Sequence, residues 1–151
     1  MIQRLSYKKK LDVYCFVTSV IDRFNDFYVT VDKNRLFLKD LNLIEKILLK
    51  QEVYAAIDKE IDGMLMVYRE KGFRPYVKVL AKDGKTGSDL IKFLIWNFAT
   101  QDLFVKIKKS NPLVRILQRY GFIQLGDRGL EVLLTRKGDK GAKNDRYNNK
   151  D

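Results

Sequence analysis

The chain of 151 residues is long enough for one domain with a buried core, and an apolar fraction of 46% is that of a globular protein. It contains no histidine and a single cysteine, Cys15, which excludes histidine-based catalysis, histidine metal sites, an internal disulfide and a cysteine zinc cluster. The formal net charge of +11 indicates attraction to a polyanion or an anionic ligand, unless the excess lysines serve only solubility.

The first residues predict a strand and a helix. Residues 2–5 are apolar enough for a short strand. Over residues 11–24, apolar side chains recur at helical spacing and predict a helix, although valines and aromatics there leave a strand interpretation open. The face expected to be buried includes the cysteine as a small hydrophobe and comprises Leu11, Tyr14, Cys15, Thr18, Ile21 and Phe24.

A hairpin and a second helix are predicted next. Residues 27–31 and 35–38 alternate on either side of a turn and indicate a hairpin or an extended connection. Asp40 or Asn42 is expected to cap a helix over residues 43–50, whose apolar side chains share one face.

The middle of the chain predicts three strands. Residues 53–57, 63–69 and 74–81 are rich in strand-forming residues and are separated by short turns, so we expect an antiparallel meander. In the third strand, alternation groups Val77, Val79 and Ala81 on one face and Lys78, Leu80 and Lys82 on the other.

The stretch after the third strand is the main candidate for a site. Residues 82–87 form a loop with two glycines and two lysines, and Thr86 or Ser88 is expected to cap an apolar helix over residues 88–99. Trp96 in this helix is assigned to the core. The backbone N–H groups and the positive dipole end of a helix N-terminus attract anions, so we predict an anion-binding site here.

A strand and a short helix follow. The strand over residues 103–107 is expected to run parallel to the third strand of the meander, because a helix separates the two. The helix is predicted from Asn111 to Tyr120, with Pro112 in its first turn and Gly121 just after its end.

The C-terminal residues predict a hairpin and a tail. Residues 122–125 and 130–135 are expected to form the hairpin, with a turn over residues 126–129. Residues 136–151 have no aliphatic side chain larger than alanine and are predicted to be a flexible basic tail, which leaves one domain over residues 1–135.

This order of elements resembles the GNAT acetyltransferase superfamily, whose cofactor loop follows the pattern Arg/Gln-x-x-Gly-x-Gly/Ala. Here Lys82 stands at the first position of that pattern, Lys85 at the first glycine and Gly87 at the second. A later block of the family runs from an Asn to a Gly-Phe pair, as Asn111 to Gly121-Phe122 does here. The resemblance spans about residues 53–135 and implies an α+β domain with a mixed, mainly antiparallel sheet flanked by helices.

The resemblance also implies acetyl-coenzyme A as cofactor. The end of the third strand would pair with the pantetheine arm, and the loop would hold the pyrophosphate. The implied cofactor-binding residues are Val79, Leu80, Ala81, Lys82, Gly84, Lys85, Thr86, Gly87, Ser88 and Asn111, although Asn111 suits a helix cap equally well. The implied acceptor cleft is flanked by Tyr68, Arg69, Arg74 and Tyr76, unless these serve as cross-strand pairs.

The catalytic residues are not evident from the resemblance. Many family members protonate the departing thiolate with a Tyr at the position that Leu117 occupies here. Two kinds of candidate remain. The first is Tyr120, although its side chain is expected to point elsewhere. The second is a carboxylate base, for which Glu70 is preferred over Asp62 and Glu60. Each of these carboxylates also suits a solvated turn.

Two functional hypotheses follow. The first is an N-acetyltransferase that transfers an acetyl group from acetyl-coenzyme A to an amine on a nucleic acid, a protein or another acceptor. The second keeps the fold without the chemistry, as a basic protein that binds nucleic acid or serves as a homodimer or a subunit of a larger, for example phage, assembly. With no apolar run of membrane-spanning length and no signal-peptide pattern, we expect a cytoplasmic protein in either case.

Overall fold

The computed structural model describes residues 1–20, 28–31, 34–37, 40–69 and 74–139, which form nine strands and four α-helices. The strands are β1 (Ile2–Arg4), β2 (Tyr28–Val31), β3 (Asn34–Phe37), β4 (Glu52–Ile57), β5 (Ile61–Arg69), β6 (Pro75–Ala81), β7 (Leu103–Lys108), β8 (Ile123–Arg128) and β9 (Glu131–Arg136). The helices are α1 (Lys10–Val20), α2 (Leu41–Lys50), α3 (Gly84–Asn97) and α4 (Leu113–Arg119). None of the helices in these ranges is long and apolar enough to cross a membrane.

Seven of the strands form one sheet in the order β1-β4-β5-β6-β7-β9-β8. Neighbouring strands are antiparallel except β6 and β7, which run parallel because α3 carries the chain from one end of the sheet to the other. Strands β2 and β3 pair separately as an antiparallel hairpin. The predicted α+β class, the meander and the parallel crossover are therefore confirmed.

Helices cover both faces of the sheet. Helices α1 and α2 pack on one face, where Val17 and Ile44 join Met66 of β5 in one apolar cluster. Helices α3 and α4 pack on the other face, where Leu90 and Leu113 contribute to a second cluster. Strands β5 and β6 lie in the middle of the sheet and are buried on both sides.

Helix α1 buries a different face from the one predicted. Its buried side chains are Val13, Phe16, Val17 and Val20. In contrast, Leu11, Tyr14 and Cys15 are exposed, so the prediction that Cys15 is a buried hydrophobe was wrong. The helix carries two apolar stripes at helical spacing, and the spacing alone does not show which of them packs on the sheet. Ile21 and Phe24 of the predicted face lie outside the described residues.

Trp96 was also wrongly assigned to the core. Its side chain is 50% exposed, although it lies in the strongly apolar helix α3. The helix presents Leu90, Ile91 and Leu94 to the sheet. Trp96 falls on the flank of that stripe, where an amphipathic ring is stable in partial contact with water.

The C-terminal hairpin is longer than predicted. Strand β8 continues to Arg128, and a shift of register between Gln124 and Gly126 marks a bulge at Leu125. The turn follows at Gly129, whose φ of 78° suits glycine. The turn predicted over residues 126–129 was therefore placed too early, because residues 126–128 still pair with β9.

Residues after β9 remain attached to the domain for a short distance. The N–H of Gly138 donates to Asp102 Oδ1 at 2.8 Å, and the N–H of Asp139 donates to the Ala99 carbonyl at 2.7 Å. Residues 140–151 lie outside the described residues, so the flexible tail stays a prediction.

Helix α4 ends as predicted and packs closely on α3. Gly121 has a φ of 95°, and the N–H groups of Gly121 and Phe122 donate to the carbonyls of Gln118 and Leu117, which is the Schellman pattern. At the other end of α4, a Cβ added to Gly87 of α3 would lie 2.6 Å from Leu113 Cδ2. The absence of a side chain at Gly87 therefore lets the two helices approach.

We predict that Gly87→Ala destabilises the protein relative to Gly84→Ala. Both substitutions favour the helical backbone, but only the first forces a methyl group against Leu113, since a Cβ at Gly84 would meet nothing nearer than 4.0 Å. Overpacking of this kind costs about 1–3 kcal/mol. Urea unfolding of both variants measures the difference, and equal midpoints would show that Leu113 moves aside without cost.

Candidate functional site

Strands β6 and β7 part from one another in the middle of the sheet. Their register contains a single pair, Tyr76 with Phe104, although both strands are described over their full length. A continuous parallel ladder would next pair Val77 with Val105 and then Lys78 with Lys106. The backbone of β6 beyond Tyr76 is therefore open on the side of β7, where an extended ligand could form hydrogen bonds.

Helix α3 begins directly beside this opening, four residues earlier than predicted. Its N-cap is Asp83, whose Oδ1 accepts a hydrogen bond of 2.8 Å from the Thr86 N–H. The predicted caps, Thr86 and Ser88, are instead inside the helix. Several residues here are suitable caps, and Asp83 takes the role because it immediately follows the strand end.

The early start leaves two backbone donors for an anion. The Gly87 N–H already donates to the Asp83 carbonyl, and the Thr86 N–H is taken by the cap. Helix geometry leaves the N–H groups of Gly84 and Lys85 without intrahelical acceptors. Both residues are exposed, and the space around Gly84 is open. The two glycines of the loop thus differ, because Gly84 is open toward solvent and Gly87 lies under Leu113.

The charges around this helix start are mixed. Lys82 Nζ lies 2.7 Å from Asp62 Oδ1, and this hydrogen bond raises the Lys82 pKa. The hydrogen bond from the Thr86 N–H holds the pKa of the Asp83 carboxyl below its ordinary value, so Asp83 is an anion at neutral pH. Lys85 is exposed. An anionic ligand would meet Lys85 directly and would be repelled by Asp83.

Other predicted cofactor residues offer backbone or structural contacts. Leu80 and Ala81 are buried and Val79 is partly buried, so a ligand in the opening would contact their backbone. Asn111 is 8% exposed, and its Oδ1 accepts a hydrogen bond of 3.0 Å from the Leu113 N–H. The structure thus places Asn111 as the cap of α4.

Tyr120 and Ser88 are brought together by the packing of α4 on α3. Their hydroxyl oxygens lie 2.9 Å apart, and Arg136 Nε holds the Tyr120 carbonyl at 3.0 Å. The hydrogen bond with Ser88 lowers the pKa of the Tyr120 hydroxyl, and the charges of Lys92 and Arg119 act in the same direction. This part of the α3–α4 surface therefore has a positive potential beside two hydroxyl groups.

The candidate acids and bases that the structure describes are not assembled into one centre. Leu117 is 1% exposed within the α3–α4 core. Asp62 is paired with Lys82, and Glu60 is exposed in the turn before β5. Glu70 lies outside the described residues.

Aromatic and cationic side chains of the predicted acceptor cleft do lie together where β6 and β7 part. The rings of Tyr68 and Phe104 flank Tyr76 at 5.9 and 5.5 Å, and Arg74 lies over Phe104 at 5.6 Å. Arg69 instead donates to Gln101 at 3.2 Å. These rings form an apolar wall on the face covered by α1 and α2.

Lys78 lies at the opening, although it was not singled out from the sequence. It is 4% exposed, and its Nζ donates to the Lys106 carbonyl at 2.8 Å across the parted strands. The sequence did contain a signal for its burial. Lys78 lies between Tyr76 and Leu80 on one face of β6, and β6 was predicted to pair with two other strands. A lysine on a buried face needs a partner, and this one lies at the opening.

The structure is similar to solved N-acetyltransferases. An N-acetyltransferase from Staphylococcus aureus Mu50 aligns with a TM-score of 0.71 over 91% of this chain and 96% of that chain, at 20% identity. An acetyltransferase of the GNAT family from Streptococcus pneumoniae gives 0.67 over 89% and 96%, at 16% identity. A ribosomal-protein-alanine N-acetyltransferase from Brucella melitensis gives 0.64 over 89% and 96%, at 17% identity.

The likeness concerns the fold. No model of a known protein family matches the sequence, and no curated protein matches it. The chain therefore has the GNAT acetyltransferase fold with a sequence far from those of the solved structures, as the resemblance of its loop and helix pattern predicted.

We predict that Ser88→Ala raises the Tyr120 pKa. The Ser88 hydroxyl donates to the phenolate, so its removal disfavours the ionised form. Lys92→Met should act in the same direction, whereas Ser110→Ala, an exposed serine elsewhere, should have no effect. Titration of ¹³C-labelled tyrosine by NMR, assigned with Tyr120→Phe, measures the change. An unchanged pKa in Ser88→Ala would place the two hydroxyls apart in solution.

Proposed function

We propose that the protein is an acetyl-coenzyme A-dependent N-acetyltransferase. The observation that carries this proposal is the opening between β6 and β7 directly beside the N-terminus of α3. A strand edge that can pair with an extended arm therefore lies next to backbone donors that can hold a phosphate. The solved structures with this fold are N-acetyltransferases, which supports the same assignment.

The residues at the opening fit such a cofactor. The pyrophosphate would be held by the N–H groups of Gly84 and Lys85 and by the Lys85 ammonium, with the Ser88 hydroxyl one helical turn further on. The open space at Gly84 lets the backbone approach the phosphate. The pantetheine arm would pair with the backbone of residues 79–81. Acetyl-coenzyme A supplies an activated thioester when bound.

The protein's own contribution is mainly positioning and exclusion of water. The aromatic wall of Tyr68, Tyr76 and Phe104 is buried and lies where the strands part. An amine held against this wall would face the end of the opening in a fixed orientation, and such orientation supplies a large part of the acceleration in transfer from an activated donor. The acceptor class that we propose is therefore a primary amine carried on a group with some apolar surface.

The nucleic-acid hypothesis takes second place. Its support is the net charge of +11, and net charge describes non-specific attraction and solubility more than a binding site. The opening between β6 and β7, by contrast, is a specific geometry that a general polyanion does not require.

Calorimetry with acetyl-coenzyme A tests the proposal. We expect binding that Lys85→Glu weakens by about 10- to 100-fold, because a charge-assisted hydrogen bond contributes about 1.5–3 kcal/mol. Lys59→Glu makes the same change of charge in the exposed turn before β5 and should leave the affinity within about twofold of the original, since long-range effects are screened. Absence of binding at millimolar cofactor would refute the proposed function.

Asp83→Asn should tighten the binding of acetyl-coenzyme A. Asparagine caps a helix as well as aspartate does, so the helix start is preserved while the repulsive charge is removed. A charge at a helix N-terminus is worth about 0.3–1 kcal/mol, which corresponds to about two- to fivefold in affinity. The gain should shrink as salt is added. Weaker binding in this variant would indicate that the pyrophosphate does not lie near Asp83.

A further inference from the structure

A polar cluster lies between α3 and α4, beyond the open N–H groups at the start of α3. The Tyr120 hydroxyl is 2.9 Å from the Ser88 hydroxyl, and both side chains are partly buried. Lys92 follows Ser88 by one helical turn, Arg119 directly precedes Tyr120, and both cations are exposed. We call these four residues the hydroxyl–cation cluster.

Two contacts between α3 and α4 show how far this cluster lies from the start of α3. A Cβ added to Gly84 would lie 4.0 Å from Ile116 Cδ1, and Ser88 contacts Tyr120. The second contact is therefore four residues further along each helix, so the two helices run side by side in the same direction here. Four residues correspond to about 6 Å along a helix axis. A ligand held at the Gly84 N–H can therefore reach the hydroxyl–cation cluster with a neighbouring group.

The two flanks of α3 differ in charge. On the flank toward α4, the hydrogen bond with Ser88 lowers the pKa of the Tyr120 hydroxyl, and the charges of Lys92 and Arg119 act in the same direction. The cleft on the opposite flank is lined by Lys85 and by three carboxylates, those of Asp58, Asp62 and Asp89. A further phosphate group of a ligand at the start of α3 is therefore attracted toward α4 rather than toward the cleft.

We propose that the hydroxyl–cation cluster binds the 3′-phosphate of coenzyme A. This inference rests on the proposed function, in which the pyrophosphate lies at the start of α3. Coenzyme A carries its third phosphate on the ribose, and only the ribose and its linking atoms separate that phosphate from the pyrophosphate. The Lys92 ammonium and the Arg119 guanidinium would pair with it. The Tyr120 hydroxyl would donate to it while accepting the hydrogen bond from Ser88. The site would thereby select acyl donors that carry this nucleotide.

Calorimetry with coenzyme A and dephospho-coenzyme A tests this inference without measuring activity. The second ligand lacks only the 3′-phosphate and keeps the pyrophosphate and the pantetheine arm. We expect coenzyme A to bind about 10- to 100-fold more tightly, because hydrogen bonds between charged groups are lost with the 3′-phosphate. This preference should shrink as salt is added. Equal affinity for the two ligands would overturn the inference and leave the proposed function intact.

Substitutions assign the preference to the cluster. Lys92→Met keeps the apolar stem of the lysine, and Tyr120→Phe keeps the ring, so each removes one group that would contact the phosphate. Each should reduce the preference for coenzyme A by about three- to tenfold and leave the affinity for dephospho-coenzyme A within about twofold of the original. Lys46→Met is the matched control, because it removes the same charge from an exposed position on α2, on the other face of the sheet. It should leave the preference unchanged.

The outcomes separate this inference from the proposed function. A full preference for coenzyme A in both Lys92→Met and Tyr120→Phe would place the 3′-phosphate elsewhere and overturn the inference. An equal loss of affinity for both ligands in these variants would show a structural role only and would overturn it as well. Failure of coenzyme A, acetyl-coenzyme A and dephospho-coenzyme A to bind would overturn both the inference and the proposed function. A preference that falls in both variants and persists in Lys46→Met would establish the inference.

Discussion

Strands β6 and β7 make one register pair and then part, and the arrangement of the candidate site depends on this constraint. A parallel pair in the middle of a sheet normally keeps a continuous ladder, because each buried backbone group needs a partner. Here the Lys106 carbonyl accepts a hydrogen bond from Lys78 Nζ. The sheet therefore keeps an opening that a lysine side chain bridges, where a continuous backbone ladder would otherwise lie.

The opening connects two regions of different chemistry on opposite faces of the sheet. On the face of α3 and α4 are the free N–H groups at the start of α3 and the hydroxyl pair of Ser88 and Tyr120. On the face of α1 and α2 are the buried ammonium of Lys78 and the aromatic wall. A ligand with a polyanionic end and a polar reactive end matches this arrangement, which supports the proposed cofactor.

Local signals predicted elements well where a single physical rule governs them. Asp40 caps α2 and Gly121 ends α4 with a positive φ, both as expected, because capping and left-handed backbone depend on a few adjacent residues. The start of α3 was misplaced because Asp83, Thr86 and Ser88 are all good caps. The choice among them depends on where β6 ends, and that end is set by the Lys82 N–H, which donates to the Asp62 carbonyl on β5. A non-local contact thus decides which donors remain for an anion.

The errors at α1 and at Lys78 have a common cause, since alternation and helical spacing show which residues share a face but not what covers that face. For α1, either apolar stripe satisfies the spacing, and only the sheet beneath decides between them.

For Lys78, a combination of two correct predictions would have been enough to predict its burial. The meander places β5 on one side of β6, and the parallel crossover places β7 on the other, so both faces of β6 lie in the interior. A lysine that shares a face with Tyr76 and Leu80 there conflicts with its surroundings, and such conflicts between local sequence and global fold are expected at functional sites. Strand order is therefore the information that turns an ordinary alternating lysine into a candidate for chemistry.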